Sequence, residues 1–231
     1  MPEKYTVIVA QLPRGKSTVA ALLNRVYNPT SEAIFLDGLD IKFLNVRSIP
    51  GLLSLVQQEP PLFDSSIFEN IALGLMNSPR PESPEAQPIL LSSDLQALSS
   101  SSGKDMLNKA ATRGDLISEI AIPVRKAAEL ADLSFVDHLD LGYVTQVGGS
   151  GKLLSGGQRQ IVVLARTLVR GPKILVLDEA ITAIDSATEK RIQAAIDSFA
   201  VGRTVISIAR RLSTIKHTDK VVVMHDGEVV E

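Results

Sequence analysis

The most informative segment of the chain is Leu154-Ser155-Gly156-Gly157-Gln158, and downstream of it the apolar run Ile174-Leu175-Val176-Leu177 ends in Asp178-Glu179. Taken alone, Ser155 and the two glycines are also what caps a helix, here one over Gln158 to Val169. Taken alone, the apolar run is also typical of a buried parallel strand that ends at the edge of a sheet. Neither segment is decisive alone, and Gly15-Lys16-Ser17-Thr18 lies upstream of both.

The composition fits a folded domain with an aliphatic core. The chain has 231 residues, of which 45% are hydrophobic and 4% aromatic, with no Trp. This length allows one large α/β domain or two small ones and is enough to bury a sizeable core. The formal net charge is -2, and no block of like charge occurs, so nothing favours nucleic acid or an anionic membrane surface as a partner.

Cysteines and membrane signals are both missing from the sequence. The absence of Cys excludes disulfides and thiolate metal sites, and it fits a reducing compartment. The longest apolar stretches, such as Thr6 to Ala10, fall well short of the roughly 20 residues that span a bilayer. The charged residues around that first stretch do not fit a signal peptide. We therefore expect a soluble chain whose membrane attachment comes from a partner chain or from sequence beyond these residues.

Predicted strands and helices alternate along the chain, which is typical of a mainly parallel sheet with helices on both faces. The predicted strands are Thr6 to Val9, Ala33 to Leu36, Leu52 to Val56, Ile174 to Leu177, Thr204 to Ile208 and Val221 to Met224. The predicted helices are Lys16 to Arg25, Phe68 to Leu73, Gly156 to Val169 and Ala187 to Phe199. Asp37-Gly38 is expected to form a turn.

The composition changes sharply between residues 78 and 114. This segment is rich in Ser and Pro, includes the homopolymer Ser99 to Ser102, and has little periodicity. We interpret it as a long, partly disordered insertion. Periodicity resumes over Leu116 to Leu133, where we expect a helix that Pro123 splits.

A candidate phosphate-binding loop lies between the first predicted strand and the first predicted helix. A turn in this place aims backbone N–H groups and the positive end of the helix at phosphate oxygens. A Lys then reaches the β- and γ-phosphates, and a Ser or Thr hydroxyl holds Mg²⁺. The segment Ala10-Gln11-Leu12-Pro13-Arg14-Gly15-Lys16-Ser17 fits this pattern from Gly15 onward. An ordinary strand-to-helix turn explains the segment equally well when it is taken alone.

Polar side chains also follow two later strands. Gln58 lies just after the strand predicted over Leu52 to Val56, and a polar turn closed by Pro60 is the structural alternative there. Asp178 and Glu179 close an apolar strand, which places their carboxylates at the carboxyl edge of a parallel sheet, where ligands of such folds bind.

Together these segments resemble the nucleotide-binding domain of ATP-binding cassette (ABC) transporters, of the multidrug-exporter type. The resemblance covers nearly the whole chain except 78–114 and implies a P-loop NTPase core, with a mainly parallel sheet flanked by helices, plus a helical signature subdomain. It divides one domain over 1–231 into core and signature segments at 1–75 and 145–231, the insertion, and a helical subdomain at 115–144. The family's N-terminal antiparallel subdomain is largely missing, so we expect a truncated domain.

The resemblance implies ATP and Mg²⁺ as ligands and gives each motif a role. Nucleotide is expected to contact Arg14, Gly15, Lys16, Ser17 and Thr18. Mg²⁺ is expected to be held by Ser17, Gln58 and Asp178. Glu179 is expected to polarise the attacking water, Gln58 to contact that water, and Arg210 to stand at the switch position near the γ-phosphate.

The resemblance also implies two kinds of partner. The signature residues contact ATP that is held by the opposite subunit of a dimer; they are Ser155, Gly156, Gly157 and Gln158. Asp185 matches the acid of the D-loop. Thr145-Gln146-Val147-Gly148 resembles the segment that faces transmembrane coupling helices, although Gly149 replaces its usual Glu. The implied partners are therefore a transmembrane exporter domain, absent from this chain, and a second nucleotide-binding domain, in a homo- or heterodimer at the cytoplasmic face of a membrane.

Several positions depart from the family pattern. Ala10 and Pro13 replace glycines of the phosphate loop, and Arg210 replaces the His of the switch. Pro13 has no N–H to donate and fixes its own φ near roughly −65°, while Arg is longer than His and always charged. The adenine-stacking aromatic residue belongs to the missing subdomain, and Tyr5 is too close to the loop to replace it. The three histidines, His138, His217 and His225, have no metal-like spacing.

Two functions therefore stay open at the level of sequence. In one, the chain is the ATPase of an exporter. In the other, it is a catalytically impaired domain or relic whose intact signature completes the ATP site of a partner. A soluble, non-transport ABC protein is a third alternative, although such proteins usually carry two cassettes in tandem.

Overall fold

The structure, a computed structural model, describes residues 3–10, 15–46, 48–57, 61–76, 78, 89–90, 105–112, 115–179, 186–209 and 218–230, without the side chains of Ala10, Lys16 and Met106. Contacts divide the chain into two units. One comprises Met1–Gln58, Pro172–Thr182 and Phe199–Glu231, and the other comprises Glu59–Gly171 and Ala183–Ser198.

The first unit is built on a sheet whose described strands have the order β4-β5-β6-β1-β7-β8. Neighbouring strands are parallel except for the β7–β8 pair, which is antiparallel. The strands are β1 (Tyr5–Ala10), β4 (Leu53–Val56), β5 (Ile174–Asp178), β6 (Thr204–Ala209), β7 (Lys220–His225) and β8 (Glu228–Val229). Their aliphatic side chains are buried at Val7, Leu175 and Val205, as expected for parallel strands covered on both faces. The predicted α/β architecture with a mainly parallel sheet is thereby confirmed.

Two helices and a separate hairpin complete the described part of the first unit. The helices are α1 (Lys16–Leu23) and α2 (Ile49–Leu52), and Ile41–Phe43 forms a 3-10 turn. The hairpin pairs β2 (Phe35–Leu36) with β3 (Leu39–Asp40). Its turn residues Asp37 and Gly38 both have positive φ, at 48° and 81°, as a two-residue hairpin turn requires.

The register of the sheet brings the candidate motifs to one edge. β1 lies between β6 and β7, with Val9 opposite Ala209, and β6 pairs in turn with β5, with Asp178 opposite Ile208. Because these strands are parallel, the end of β1 and the acids at the end of β5 lie at the same, carboxyl-terminal edge of the sheet.

The second unit is helical in its described residues. Its helices are α3 (Ile67–Ala72), α4 (Met106–Ala111), α5 (Leu116–Leu130), α6 (Gly156–Leu168) and most of α7 (Ser186–Ala200). Shorter 3-10 turns lie at Leu73–Leu75, Ser134–His138, Gly142–Val144 and Gly149–Gly151. The core of this unit is aliphatic and aromatic, with Phe68, Ile71, Ile120 and Leu164 fully buried.

Helix α5 differs from the sequence prediction. It runs without a break from Leu116 to Leu130 with Pro123 inside it, so the expected split is wrong. A proline inside a helix costs about 3 kcal/mol. The helix buries Ile120, Val124 and Ala127 on one side, and burying two large aliphatic side chains alone contributes about 3–6 kcal/mol. Packing therefore outweighs the lost backbone hydrogen bond.

One end of the predicted insertion is also ordered. Helix α4 packs on α5 and buries Leu107 and Ala110. Residues 79–88, 91–104, 113 and 114 of this segment lie outside the described residues. Within the described ranges, no helix is long and apolar enough to cross a membrane. The domain boundaries expected from sequence stay a prediction.

Candidate functional site

Helix α1 starts in the way that a phosphate-binding helix does. Gly15 precedes it with φ +92°, a left-handed conformation that glycine adopts without strain. The cap has no side-chain hydrogen bond, and the first helical bond runs from the Val19 N–H to the Gly15 carbonyl at 3.1 Å. The N–H groups of the first three helical residues thus have no acceptor within the helix. Together with the positive end of the helix dipole, they suit an anion.

Three of the residues predicted to contact nucleotide lie in the first turn of α1. Lys16 is the first residue of α1, and Ser17 and Thr18 come next, both exposed. The Ser17 hydroxyl therefore lies in the first helical turn and is open to a ligand. Arg14, Gln58, Asp185 and Arg210 lie outside the described residues, and their roles stay predictions.

The two acids at the end of β5 lie where the sequence predicted them. Asp178 is the last residue of the strand, and Glu179 follows with φ +49° and only 8% of its surface exposed. The Glu179 N–H donates to the Ile208 carbonyl at 3.1 Å. A positive φ is uncommon outside glycine, and such backbone positions cluster at functional sites. The chain thus turns sharply at the strand end and leaves a buried carboxylate at the ligand-binding edge of the sheet.

The signature residues begin α6 in the second unit. Ser155 is the N-cap, where its Oγ accepts from the Gln158 N–H at 3.2 Å, and Gln158 Oε1 accepts from the Ser155 N–H at 2.8 Å. This reciprocal pair is a capping box, so the structural role considered for Ser155 is realised. Gly156 is exposed, and a Cβ there would meet no atom closer than Arg159 Nη2 at 4.0 Å. The capping box uses neither the Gly156 nor the Gly157 N–H, so both remain available to an anion.

The segment before the signature pairs with the loop at 61–66. The Ile67 N–H donates to the Thr145 carbonyl, and the Val147 N–H donates to the Ser65 carbonyl, both at 3.0 Å. Gly151 has φ +75°, and a Cβ on it would lie 2.9 Å from Leu62 Cδ1. The positive φ favours glycine there, and any side chain would also require the ends of Arg159, whose Cδ would lie 2.8 Å away, and Leu62 to shift.

Sequence reasoning missed a polar cluster formed by half-buried Arg166 and fully buried Asn70. Arg166 Nε donates to the Asn70 carbonyl at 2.9 Å, Nη1 donates to the Pro61 carbonyl at 3.0 Å, and Nη2 donates to Asn70 Oδ1. The guanidinium carbon lies 5.3 Å from the centroid of the Phe63 ring. Burial lowers the pKa of Arg166 to about 10, so it stays charged at neutral pH. A charged residue inside the apolar run 161–169 was the available signal.

The described part of the chain offers no alternative metal centre. No group of three or more His, Asp or Glu side chains there could hold a metal ion. His138 and His225 lie in a 3-10 turn and at the end of β7, and His217 is outside the described residues.

Comparisons with known proteins agree with the geometry. A profile described as "ABC transporter" matches residues 2–182. A protein named ABC transporter 1 from Ajellomyces capsulatus is 49% identical over 231 residues, covering 99% of this chain and 17% of its own length. An ABC multidrug transporter MDR2 from Trichophyton rubrum is 44% identical over 233 residues, covering 100% of this chain and 17% of its own length. The chain therefore spans about a sixth of these relatives.

Solved structures give the same fold. A bacterial Atm1-family ABC exporter with ATP bound matches with a TM-score of 0.76 and 35% identity, over 100% of this chain and 33% of that one. The predicted fold class is confirmed by this match.

Proposed function

The chain belongs to the ABC transporter family, and we propose that it acts as the nucleotide-binding domain of an exporter, which binds and hydrolyses ATP to power transport across a membrane. The observation that carries this proposal is the start of α1. Its left-handed Gly15 leaves three backbone N–H groups and the helix dipole for a phosphate.

The residues around α1 suit Mg-ATP. Lys16 would pair with the β- and γ-phosphates. Mg²⁺ prefers oxygen ligands and keeps several of its sites for water and phosphate. The exposed Ser17 hydroxyl and the Asp178 carboxylate at the end of β5 provide such oxygens, and Gln58 is the third predicted ligand. When bound, the ion neutralises charge that develops on the phosphates.

Glu179 is the proposed group that orients and polarises the attacking water. Its buried position at the carboxyl edge of the sheet keeps a carboxylate close to the proposed phosphate site, and proton acceptance by a positioned carboxylate is a common catalytic device. Gln58 would contact the same water, and Arg210 would pair with the γ-phosphate.

The proposed partners follow from the exposed start of α6. Ser155, Gly156 and Gly157 present N–H groups and a hydroxyl that would reach ATP held by a second nucleotide-binding domain, in a homo- or heterodimer, with Asp185 in the D-loop. A transmembrane exporter domain would hold the pair at the cytoplasmic face of a membrane and select the transported compound.

ATP binding is proposed to be weak. Pro13 has no N–H to donate to a phosphate, and Ala10 replaces a glycine. A lost charged hydrogen bond costs about 1–3 kcal/mol. This loss weakens binding by roughly one to two decades.

Equilibrium binding of labelled ATP to the chain, with and without Mg²⁺, tests the proposal. We expect saturable, Mg²⁺-dependent binding at high ATP concentration. If the chain turns over ATP, Glu179→Gln should remove most of the activity and leave binding in place. Absence of saturable binding contradicts the proposed function, whereas low-micromolar affinity contradicts only the proposed weakness.

A second function is favoured by the contrast between an intact capping box at Ser155 and the altered phosphate loop. In this alternative the chain completes the ATP site of a partner and does not itself hydrolyse ATP. Turnover that depends on Glu179 of this chain would exclude it.

A further inference from the structure

The β7–β8 hairpin ends in a tight turn at the carboxyl edge of the sheet. Its strands pair His225 with Glu228, which leaves Asp226 and Gly227 as the two turn residues. Both have positive φ, at 48° and 91°, as a two-residue hairpin turn between twisted strands requires. The turn residues are exposed, so the turn lies at the surface of the first unit.

This turn lies beside the start of α1. Strand β7 runs parallel to β1, and Met224 is opposite Ala10, the last residue of β1, so the turn extends past the carboxyl end of β1. A Cβ on Gly15 would lie 3.6 Å from Gly227 Cα and 3.6 Å from Met224 Cε. The residue that precedes α1 thus packs against the backbone of the turn and against the end of a methionine side chain. All of these residues belong to the first unit.

Met224 connects this contact to the core of the first unit. Its side chain is buried and belongs to an apolar cluster with Ile8 of β1 and Ala20 of α1. The backbone of Gly15 therefore contacts a side chain that is fixed both by the preceding strand and by the following helix. A Cβ on Gly227 would meet nothing within 4 Å, so glycine is favoured there by the positive φ and not by lack of space.

We propose that the β7–β8 turn is a positioning element of the phosphate site. Gly227 and Met224 hold Gly15 in its left-handed conformation, so that the first N–H groups of α1 face the nucleotide. Gly15 has no side chain that could fix its own orientation, which leaves this task to the atoms that pack on its backbone. Strain in the turn then reaches Gly15 and lowers ATP affinity. This inference rests on the proposed function, because it requires phosphate to bind at the start of α1.

The β2–β3 hairpin of the same unit provides a matched control. Its turn is also Asp-Gly, with φ of 48° and 81° at Asp37 and Gly38, and a Cβ on Gly38 also meets nothing within 4 Å. No atom of Asp37 or Gly38 lies within 4 Å of a Cβ placed on Gly15. Gly227→Ala and Gly38→Ala therefore introduce the same strain into two similar turns, of which only the first contacts Gly15.

Titration calorimetry with Mg-ATP and urea unfolding without nucleotide compare the two variants. Both should lower the urea midpoint to a similar extent, because alanine is disfavoured in the left-handed region. Gly227→Ala should also lower ATP affinity by about threefold to tenfold, since strain of this size that reaches Gly15 corresponds to roughly one decade of binding. Gly38→Ala should leave the affinity unchanged. Gly227→Asn should restore most of the affinity, because asparagine adopts a positive φ more readily than alanine.

Hydrogen exchange of the unaltered 231-residue chain provides a measurement that needs no variant. Coupling between two sites is reciprocal, so a turn that affects ATP affinity must itself be stabilised by ATP. Mg-ATP should slow exchange of the amides at 226–230 by about threefold to tenfold, the same factor. The amides at 37–40, which lie in the same unit, should be unaffected.

Equal losses of affinity in Gly227→Ala and Gly38→Ala, or no loss in either, overturn the inference alone. Where Gly227→Ala does not fold, equal slowing of exchange at 226–230 and 37–40, or no slowing at 226–230, overturns it in the same way. Absence of saturable ATP binding by the unaltered chain overturns the proposed function and the inference with it.

Discussion

Helices α1 and α6 both begin at small residues, but they differ in whether a side chain at the cap accepts hydrogen bonds from the first backbone N–H groups. Helix α1 follows a left-handed glycine and has no side-chain cap. Helix α6 follows Ser155 and closes a capping box with Gln158. Both starts carry small exposed residues, Ser17 and Thr18 at α1 and Ser155 and Gly156 at α6, and both have the positive end of a helix dipole.

This difference indicates which helix start depends on a ligand to accept its backbone hydrogen bonds. At α6 the cap residues provide hydrogen bonds to two backbone N–H groups, so this start is stable before any partner arrives. At α1 the cap residue is Gly15, which has no side chain to accept these hydrogen bonds, so water or a phosphate can accept them. The comparison predicts that nucleotide stabilises α1 directly, whereas mutations at the cap of α6 act on stability even without nucleotide.

The largest effect is expected from Ser155→Arg in a mixed pair with an intact partner domain. In the proposed dimer each shared site would use the phosphate loop of one chain and the signature of the other, so the working site would use Ser155 of this chain. The bulky arginine should lower steady-state ATPase activity of the pair by about a hundredfold or more, as removal of a transition-state donor does. Lys16→Ala in the same pair should barely change it. If Lys16→Ala proves equally damaging, the altered phosphate loop is functional and the asymmetry between the two helix starts is wrong.

The second largest effect is on ATP affinity, and it distinguishes the start of α1 from the start of α6 in the isolated chain. Lys16→Ala should lower ATP affinity about tenfold to a hundredfold, because it removes a charged partner of the phosphates. Lys152→Ala is the matched control, since Lys152 is an exposed lysine just before the signature. Calorimetric titration with Mg-ATP measures the affinity of both variants. Equal losses in the two variants would mean that the phosphates bind elsewhere.

Gly15→Ala should lower the free energy of unfolding by about 1–2 kcal/mol, because an alanine at φ +92° is held in the left-handed region. Space is not the cause, since a Cβ there would meet its nearest atoms at 3.6 Å. Gly149→Ala, where a Cβ meets nothing within 4 Å, should stay within about 0.5 kcal/mol of the unaltered chain. Urea unfolding without nucleotide gives both values, and an undiminished stability of Gly15→Ala would show that the turn relaxes.

The smallest effect concerns the cap of α6. Ser155→Ala should destabilise the chain by about 1 kcal/mol through loss of the capping box. Gly156→Ala should leave stability equal or raised by up to about 1 kcal/mol, because its Cβ has room and alanine favours the helix. Thermal unfolding without nucleotide measures the stability of both variants. A Ser155→Ala variant as stable as the unaltered chain would mean that the α6 start also depends on a ligand.

Much of the fold could be predicted because its signals are local. Apolar β-branched runs gave the positions of β1, β5 and β6 to within one residue at each end. The Gly15-Lys16 and Ser155-Gly156 junctions located two helix starts, since caps are decided by neighbouring residues. The acids after β5 were predicted for the same reason, because a strand end is visible in the sequence.

Contacts between distant residues decided the rest. Pro123 stays inside α5 because the apolar face of that helix is buried, and α4 is ordered because it packs on α5. Arg166 and Asn70 lie 96 residues apart in the chain, and no periodicity within either segment encodes their meeting. Local patterns fix which segments become strands, helices and caps, whereas the pairing of buried polar groups depends on which surfaces come together on folding. The sequence alone therefore determined the motifs of this domain, and only the tertiary structure decided how its signature helix is held.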